Sequence, residues 1–485
     1  MLQAVIDIGS NSVRLVIYDG LMRAPIAICN EKSLCGLGRD MTPEGDLNPD
    51  SMELALKTLR RFKLILNSHG NPEVNVIATA AVREARNGKE FSNRVRKLGY
   101  EMTVIPGNEE ARLAALGVVS QEPNAKGVVG DMGGGSLELI AVDGSSIKSR
   151  DSLSIGPLRV MQRSKGDLAL ATKLIEKEVK SLEWLKSKEH EVLYAVGGAW
   201  RAVARIHMRL RSHPVSVLHH YELTSTQVIE ICDLIARQSR NSLEEIPGIP
   251  KRRLDTLPYA AIVLRSVLQQ MKAEKMIVSS SGVREGLLYD QLSDDIKKTD
   301  PLMAGVSFFA SRLSPNPAVG DVVGKMTDKL FEDETSREKR IRRAACRMMD
   351  VGAYFHPDLR GFQAFDTAWR APFYGVTHPE RVALALSLFV RHEGRRAVWP
   401  DEQAIGLLRW EEQQRALKIG LAMRFAGAFS PKVTGPLEKC KLLLRDGKLI
   451  FDAPADREPM MEEVPLRRLE SLASAFEAEV AFNYT

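Results

Sequence analysis

Between residues 1 and 123, the hydrophobic positions switch repeatedly between the period of a strand and that of a helix. Two short apolar strands joined by a turn come first. The pattern then predicts a helix at 51–66, a strand at 74–78, a helix at 91–98, a strand at 102–105 and a helix from 108. Such alternation is typical of an α/β layer in which helices cover a sheet. Asn108 has the side chain of a helix N-cap, and we expect it to cap the last of these helices.

The pattern starts again after residues 121–127, where Pro123 and Asn124 interrupt it. The later elements are predicted as a strand from 128, a helix at 168–186, a strand at 192–196 that runs into two glycines, a helix ending at 270 and a strand at 276–280. Polar residues at 292–301 then predict a linker. By this pattern the chain holds two α/β domains, at 1–124 and 125–300.

Helical periodicity dominates residues 302–430. A run at 442–451 then turns on Asp446-Gly447, a pair that is typical of a tight β-hairpin. The third domain, 301–485, is therefore predicted to be mainly helical with a small C-terminal β-hairpin.

Composition adds limits to this picture. The 485 residues are 44% hydrophobic and 27% charged, which is typical of a soluble globular protein. A net charge of +6 is modest, so specific binding of nucleic acid is not expected. Five scattered cysteines without a CxxC pair argue against zinc and disulfides, and favour the cytoplasm. We expect no membrane partner, because no apolar run reaches ~18 residues and the first residues lead into a strand rather than a signal peptide.

Two glycine- and serine-rich loops each follow an apolar strand that brings an aspartate to its end. The first loop follows Asp7 and the second follows Asp131. Because these loops lack bulky side chains, their backbone N–H groups can point at an anion. A pair of such loops predicts a clamp for a phosphate chain. The carboxylate in each half also suits a hard cation such as Mg²⁺, which prefers oxygen ligands.

Between the two loops, the helix predicted from 108 carries Glu109 and Glu110 in its first turn. The helix dipole favours acids there, so a structural role explains them. A helix that starts at the lip of a phosphate cleft could instead aim one glutamate at a water in line with a terminal phosphorus. We expect one of the pair to face the cleft and the other to face solvent or a structural partner.

Five motifs occur in a fixed order along the chain: 7–12 (DIGSNS), 78–83 (ATAAVR), 107–112 (GNEEAR), 131–138 (DMGGGSLE) and 281–286 (SGVREG). This order resembles that of exopolyphosphatases and guanosine pentaphosphate phosphohydrolases, in the long form with a C-terminal helical domain. The resemblance covers about residues 1–300 and implies an α/β fold of two actin-like (ribonuclease H-like) domains around a cleft. The C-terminal domain resembles an HD-type hydrolase domain, but no His-Asp dipeptide occurs, so we expect a degenerate, metal-free version.

The resemblance implies a role for each motif by position. Glu110 would be the catalytic base that activates the attacking water, and Arg83 would neutralise charge on the transferred group. Asp7, Asp131 and Glu138 would hold Mg²⁺ and its waters. The loop residues that would bind phosphate oxygens are Ser10, Asn11, Ser12, Gly133, Gly134, Gly135 and Ser136.

Some positions leave alternatives open. Leu137 stands where the family often has threonine, so one loop hydroxyl is missing. The turn at 196–201 resembles the superfamily's adenosine-side loop, but Trp200 and Arg201 are bulky, and Arg201 either binds phosphate or packs at the surface. Further cations form either a solvated face or a track for a long polyanion: Arg205, Arg209, Arg211, Lys251, Arg252 and Arg253.

We therefore expect a cytoplasmic enzyme, homodimeric by the resemblance, that removes terminal orthophosphate from inorganic polyphosphate with water as the nucleophile. Hydrolysis of pppGpp to ppGpp is the alternative within the family, because both substrates end in a phosphoanhydride. Outside it, a sugar- or acetate-type kinase shares twin phosphate loops, and a non-catalytic alarmone-binding regulator needs no turnover. The motif at 107–112 favours water attack over a kinase, and the acids Glu110, Asp131 and Glu138 favour an enzyme over a regulator.

Overall fold

The structure, a computed structural model, describes residues 1–38, 41, 45–246, 251–395 and 398–485, with the backbone alone at Arg252. These residues divide into two compact units, Met1–Thr299 and Asp300–Thr485. The predicted boundary between 124 and 125 lies inside the first unit and stays a prediction. The side chain of Arg252, one of the predicted cations, lies outside the described residues.

The first sheet of the first unit is mixed, with helices formed by the segments between its strands. Its strands are β1 (Gln3–Ile8), β2 (Val13–Tyr18), β3 (Ala27–Ser33), β4 (Glu73–Ala78) and β5 (Met102–Val104), in the spatial order β3-β2-β1-β4-β5. Its helices are α1 (Pro49–Ser68), α2 (Ala80–Glu84), α3 (Gly88–Lys97) and α4 (Gly107–Gln121). Asn48 caps α1 by accepting from the N–H groups of Asp50 and Ser51.

The second sheet repeats this construction. Its strands are β6 (Lys126–Met132), β7 (Leu137–Asp143), β8 (Ser146–Leu153), β9 (Val192–Val196), β10 (Glu222–Thr224) and β11 (Lys275–Val278), in the order β10-β11-β9-β6-β7-β8. Its helices are α5 (Pro157–Arg163), α6 (Leu168–Lys180), α7 (Gly198–Leu210), α8 (Ser225–Arg237), α9 (Arg240–Glu244), α10 (Leu257–Met271), α11 (Val283–Asp290) and α12 (Asp294–Lys297), with 3₁₀ turns at Glu183–Lys186 and Lys251–Arg253.

The two sheets place their glycine loops at equivalent corners. β1 pairs antiparallel with β2 and parallel with β4, and β6 pairs in the same two ways with β7 and β9. Each loop therefore leaves the C-terminal end of an inner strand and enters the antiparallel neighbour. This is the edge of an α/β sheet at which ligands usually bind.

Helices α4 and α11 pack against each other at unusually short range. A Cβ atom on Gly286 would overlap the carbonyl oxygen of Leu113, and one on Gly117 would overlap that of Gly282. Glycine at these two positions lets the backbones of the helices touch. The contact fixes the start of α11 against the helix that carries Glu110.

The second unit is mainly helical with a small sheet. Its helices are α13 (Pro301–Leu313), α14 (Ala318–Met326), α15 (Ser336–Arg347), α16 (Arg360–Arg370), α17 (His378–Glu393), α18 (Glu402–Ile405), α19 (Trp410–Phe429) and α20 (Glu463–Ala475), with 3₁₀ turns at Asp328–Leu330, Pro357–Leu359, Gly435–Leu437 and Ala455–Met460. Its strands are β12 (Lys441–Arg445), β13 (Lys448–Ala453) and β14 (Glu479–Tyr484). The predicted hairpin is confirmed, because β12 and β13 turn on Asp446 and Gly447, both at positive φ.

Arginines on α15 pair with acids of the same unit. The pairs are Arg337 with Glu380, Arg340 with Asp300, Arg342 with Glu334, Arg343 with Asp328 and Arg347 with Asp321. This basic helix is therefore neutralised within its own unit. Among the described residues, no helix is both long enough and apolar enough to cross a bilayer.

Local details differ from the sequence predictions. Helix α4 begins at Gly107 with Pro106 at the N-cap and no side-chain cap, so the prediction that Asn108 caps it is wrong. The chain turns into the helix earlier, because the Pro106 carbonyl already accepts from Glu109 and Glu110. The predicted linker at 292–301 contains the short helix α12, whose first turn carries two aspartates that suit a helix N-terminus.

Candidate active site

A cavity of about 230 Å³ in the first unit brings the two glycine loops together. The predicted site residues that line it are Asp7, Ser10, Asn11, Ser12, Glu110, Asp131, Gly133, Gly134, Ser136, Glu138 and Arg201. The remaining predicted site residues, Arg83 and Gly135, lie beside the lining rather than in it. A Cβ atom on Gly135 would lie 3.5 Å from Arg159 and 3.8 Å from the Ser10 hydroxyl.

Both loops are closed by the same backbone hydrogen bond. The Gly9 N–H donates to the Ser12 carbonyl at 3.0 Å, and the Gly133 N–H donates to the Ser136 carbonyl at 3.0 Å. Inside these turns, some backbone N–H groups make no hydrogen bond in the part of the chain that the structure describes: Ser10, Asn11, Gly134 and Gly135. Donors left open in this way at the rim of a cavity suit phosphate oxygens.

Glu110 and its neighbour Glu109 point to different surroundings. Glu110 lines the cavity, is only 8% exposed, and accepts a hydrogen bond from Arg83 Nη1 at 3.0 Å. Glu109 instead pairs at 2.8 Å with Arg112, which also binds Asp290. Glu110 therefore faces the cavity, whereas Glu109 faces a structural partner.

The pKa of Glu110 is raised to about 7, mainly because burial disfavours its charged form. The Arg83 guanidinium opposes this shift, while the nearby charges of Asp131 and Asp7 add to it. A carboxylate with a pKa near neutrality, facing a phosphate cavity, has the properties of a general base.

Two further acids lie on the second half of the cavity. Burial raises the pKa of Asp131 to about 6, and the pKa of Glu138 lies well above its usual range because of burial and the charges of Glu110 and Asp131. The Ser152 hydroxyl donates to Glu138 at 2.9 Å. The Asp131 carboxylate makes no hydrogen bond or ion pair within the described ranges. These carboxyl groups repel one another and favour a cation or protons among them.

The predicted metal ligands are not gathered into one cluster. Asp7 is paired with Arg284 at 3.1 Å, which places an arginine rather than a free space beside it. Over residues 1–38, 41, 45–246, 251–395 and 398–485, no three His, Cys, Asp or Glu side chains are arranged to share a metal ion. The metal role of Asp7, Asp131 and Glu138 stays a prediction.

Several lining cations were not assigned from the sequence: Arg14, Lys32 and Arg284. Arg253, which was predicted to lie either on a solvated face or in a polyanion track, also lines the cavity. Arg284 belongs to the quoted motif at 281–286, which was the available signal. Its neighbour Glu285 is buried and accepts from the Tyr18 hydroxyl at 2.8 Å and from the Gly282 N–H at 3.0 Å. Arg201 lines the cavity and donates to the Ser280 carbonyl at 3.2 Å, and its role in phosphate binding stays a prediction.

Positive charge is concentrated around Arg201. Burial lowers its pKa to about 10, and the neighbouring charges of Arg284, Arg14 and Arg253 lower it further. Guanidinium groups that repel one another thus line the cavity together with carboxyl groups. Such a site is suited to an anion that the cations bind and the acids act upon.

Twin glycine loops, a buried carboxylate and several lining arginines are the features expected of a phosphohydrolase site, here on an actin-like fold. Comparison with known proteins identifies its family. The sequence profile of the Ppx/GppA phosphatase family matches residues 16–295, and that of the exopolyphosphatase C-terminal domain matches residues 315–482. The chain belongs to the Ppx/GppA phosphatase family, whose members hydrolyse phosphoanhydride bonds.

Curated relatives are distant. Retrograde regulation protein 2 of Saccharomyces cerevisiae is 24% identical over 480 residues, which cover 89% of this chain and 80% of that protein. A bifunctional 3-dehydroquinate synthase/phosphatase of Fusobacterium nucleatum is 25% identical over 300 residues, 58% of this chain and 45% of that protein. The yeast protein therefore matches both units, and the Fusobacterium protein matches part of the chain.

Solved structures match about three-fifths of the chain's length. An exopolyphosphatase from Cytophaga hutchinsonii has a TM-score of 0.55 and 25% identity, covering 60% of this chain and 97% of its own. A Ppx/GppA enzyme from Aquifex aeolicus has a TM-score of 0.51 and 26% identity, covering 59% and 98%. The predicted fold, two actin-like α/β domains with a mainly helical C-terminal domain, is confirmed. The likeness of that last domain to an HD-type domain stays a prediction.

Proposed function

We propose that this chain is an exopolyphosphatase that releases terminal orthophosphate from inorganic polyphosphate by direct attack of water. The observation that carries the proposal is the position of Glu110. This buried carboxylate, with a pKa raised to about 7, faces the cavity into which both phosphate loops open. A base at this point can take a proton from a water that attacks a phosphorus held by the loops.

Each group of residues in the cavity has its own role in binding or catalysis. The open N–H groups of the two loops bind oxygens of the terminal phosphate, and Arg201 and Arg284 bind its charge. Glu110 accepts the proton of the attacking water at a carboxylate oxygen while the water oxygen bonds to the terminal phosphorus. The bond from that phosphorus to the bridging oxygen breaks, so orthophosphate is released and the shortened chain keeps the bridging oxygen as an anion. Arg83 does not line the cavity, so in this proposal it orients Glu110 instead of contacting the transferred group.

The donor chemistry of the cavity fits Mg²⁺. Asp131 offers a carboxylate without another partner in the described part of the chain, and Mg²⁺ in phosphate sites commonly uses one or two carboxylates, with waters and phosphate oxygens. Asp131 would hold the ion, with Asp7 and Glu138 contacting its waters. When bound, it would neutralise charge on the phosphate oxygens.

Polyphosphate is favoured over pppGpp by the character of the cavity wall. The described lining contains arginine, lysine, acidic, small and some apolar residues, but no aromatic side chain on which a guanine could stack. The cations would neutralise successive phosphates of a chain.

We also propose, from the family resemblance, that the protein is a homodimer in the cytoplasm. Light scattering of the purified protein tests the dimer.

The decisive experiment compares Glu110→Gln with Glu109→Gln. Both variants remove one carboxylate from the same helical turn, but only Glu110 faces the cavity. Phosphate release is measured with long-chain polyphosphate, tripolyphosphate, pppGpp and ATP, each with and without Mg²⁺. We expect Glu110→Gln to lower kcat by roughly 10²–10⁴-fold with substrate binding retained, and Glu109→Gln to stay near wild type.

Other outcomes would change the assignment. Near wild-type turnover by Glu110→Gln would remove the base from the mechanism. Faster release from pppGpp than from polyphosphate would make the chain a pppGpp phosphohydrolase. Binding without release by the wild type would favour a regulator, a role that the name of the yeast relative carries.

A further inference from the structure

Helix α7 leads out of the cavity and carries a row of arginines. Its first turn lines the cavity through Gly198 and Arg201. Arg205 and Arg209 follow at intervals of four residues, so they lie on the same helix face as Arg201. At 1.5 Å per residue, the row extends about 12 Å along the helix from Arg201 to Arg209.

The outer two arginines of this row have no side-chain partner among the described residues. Both are exposed, and neither makes a hydrogen bond or ion pair in the ranges that the structure describes. On α15, by contrast, the arginines are paired with acids, as described above. An exposed arginine row without acids keeps its full charge available to a ligand.

The orientation of the row is fixed by the other side of α7. Trp200, Val203 and Ile206 are fully buried in the core of the second sheet, so the helix cannot turn. The α8 residue Glu230 acts electrostatically on His207, which lies on the buried side. The face that carries the arginines therefore stays exposed and continues from Arg201, which lines the cavity.

We propose that Arg205 and Arg209 form an outer binding site for a linear polyanion, namely the internal phosphates of a chain whose end lies in the cavity. This inference rests on the proposed function and deepens it, since it ties the chain-length preference to one helix. A long polyphosphate reaches past Arg201 and is bound by both outer guanidinium groups, whereas tripolyphosphate is held within the cavity. Each guanidinium can bind two oxygens of a phosphate.

The test uses Arg205→Gln, Arg209→Gln and the double variant, with Arg60→Gln as the matched control. Arg60 is also exposed on a helix and also lacks a hydrogen bond or ion pair in the described part of the chain, but it does not line the cavity. We expect KM for long chains to rise about two- to fivefold per arginine removed, with kcat unchanged. KM for tripolyphosphate should not change in any variant.

Salt dependence provides a second measure. For single-stranded nucleic acids, each cation–phosphate contact contributes about 0.7 to the slope of log affinity against log salt concentration, and we take a similar value for polyphosphate. The slope for long chains should fall by about that amount for each arginine removed, and Arg205→Lys should restore it. Equal KM changes for long and short chains, or an equal effect of Arg60→Gln, would overturn the outer site.

A binding assay separates this inference from the proposed function. If the wild type releases no phosphate from any polyphosphate, the proposed function fails. Calorimetric titration in EDTA then still tests the outer site, because it measures the affinity of the wild type and of the double variant for long-chain polyphosphate. Equal affinities, or no binding to either protein, would overturn it, and circular dichroism with thermal melting verifies that the variants fold.

Discussion

The guanidinium of Arg83 lies 3.0 Å from the carboxylate of Glu110 and also donates to the backbone carbonyl of Ile105 at 2.9 Å. Ile105 directly precedes Pro106, the N-cap of α4, so the arginine joins the carboxylate to the backbone that leads into its own helix. The contact does two things at once. It fixes the direction of the Glu110 side chain, and its positive charge opposes the rise in the pKa of that carboxyl.

Replacing Arg83 by glutamine should therefore change both the rate and its pH dependence. We expect kcat to fall by about 10²-fold, because the base loses its orientation. The acid limb of the kcat/KM profile should move to higher pH, because Glu110 is active when deprotonated and loses the charge that lowers its pKa. The profile is measured from about pH 5 to pH 9. A lower kcat without movement of the acid limb would contradict the effect of the Arg83 charge on the pKa of Glu110. Arg83→Lys keeps the charge, so it should return the acid limb most of the way to its wild-type position.

Glu110 should also make stability depend on pH. Its pKa is about 7 when folded and 4.5 ordinarily, so the folded state binds the proton more tightly. The contribution of this group to stability falls as pH rises from 4.5 through about 7, by up to about 3 kcal/mol. The Glu110→Gln variant does not lose stability in this way, because glutamine does not titrate. Urea denaturation in EDTA should show the variant gaining stability relative to wild type between about pH 4.5 and pH 8, and a constant difference would contradict the raised pKa.

The buried hydrogen bond from Tyr18 to Glu285 should contribute more to the free energy of unfolding than a hydrogen bond to an uncharged acceptor does. Tyr18→Phe leaves a buried carboxylate without one of its donors, at a cost of about 1.5–3 kcal/mol. Tyr100→Phe is the matched control, because its hydroxyl donates to the uncharged Leu59 carbonyl at 2.9 Å and its loss should cost about 1 kcal/mol. Denaturant unfolding measures both, and equal losses would show that the charge on Glu285 is unimportant.

The contact between α4 and α11 should not tolerate a methyl group. In Gly286→Ala the new Cβ overlaps the Leu113 carbonyl oxygen, so the helices must separate. We expect a loss of about 1–3 kcal/mol in the first unit, with lower kcat because α4 carries Glu110. Gly435→Ala adds a Cβ with nothing within 4 Å and should be near neutral. Thermal melting and phosphate release test both, and a neutral Gly286→Ala would show that the helices shift easily.

Local signals explain which parts of the fold were predictable from sequence. Strand β9 was placed at its observed ends because an apolar run meets two glycines, and the β12–β13 turn follows from the Asp446-Gly447 pair alone. Strand β14 was missed because it pairs parallel with β13 across the intervening helix α20. Parallel pairing of this kind leaves no turn signal in the sequence.

In the candidate site, too, local sequence identified some residues, while the positions of others depend on the fold. The sequence left open which acid of the 109–110 pair faces the cleft, and only the resemblance selected Glu110, whose burial the structure now gives. Arg284 was quoted in a motif but given no role, because its partner Asp7 lies 277 residues away. The position of Arg83 behind Glu110, rather than in the cavity, likewise depends on how α2 and α4 pack and has no local signature.

The glycine contact between α4 and α11 also limits how the first unit can move. Because the two backbones touch at Gly117 and Gly286, sliding of one helix along the other would bring backbone atoms into overlap. Glu110 lies about one helical turn before Leu113, whose carbonyl faces Gly286. The carboxylate is thus carried by a segment of α4 that is held against α11 by backbone rather than by flexible side chains.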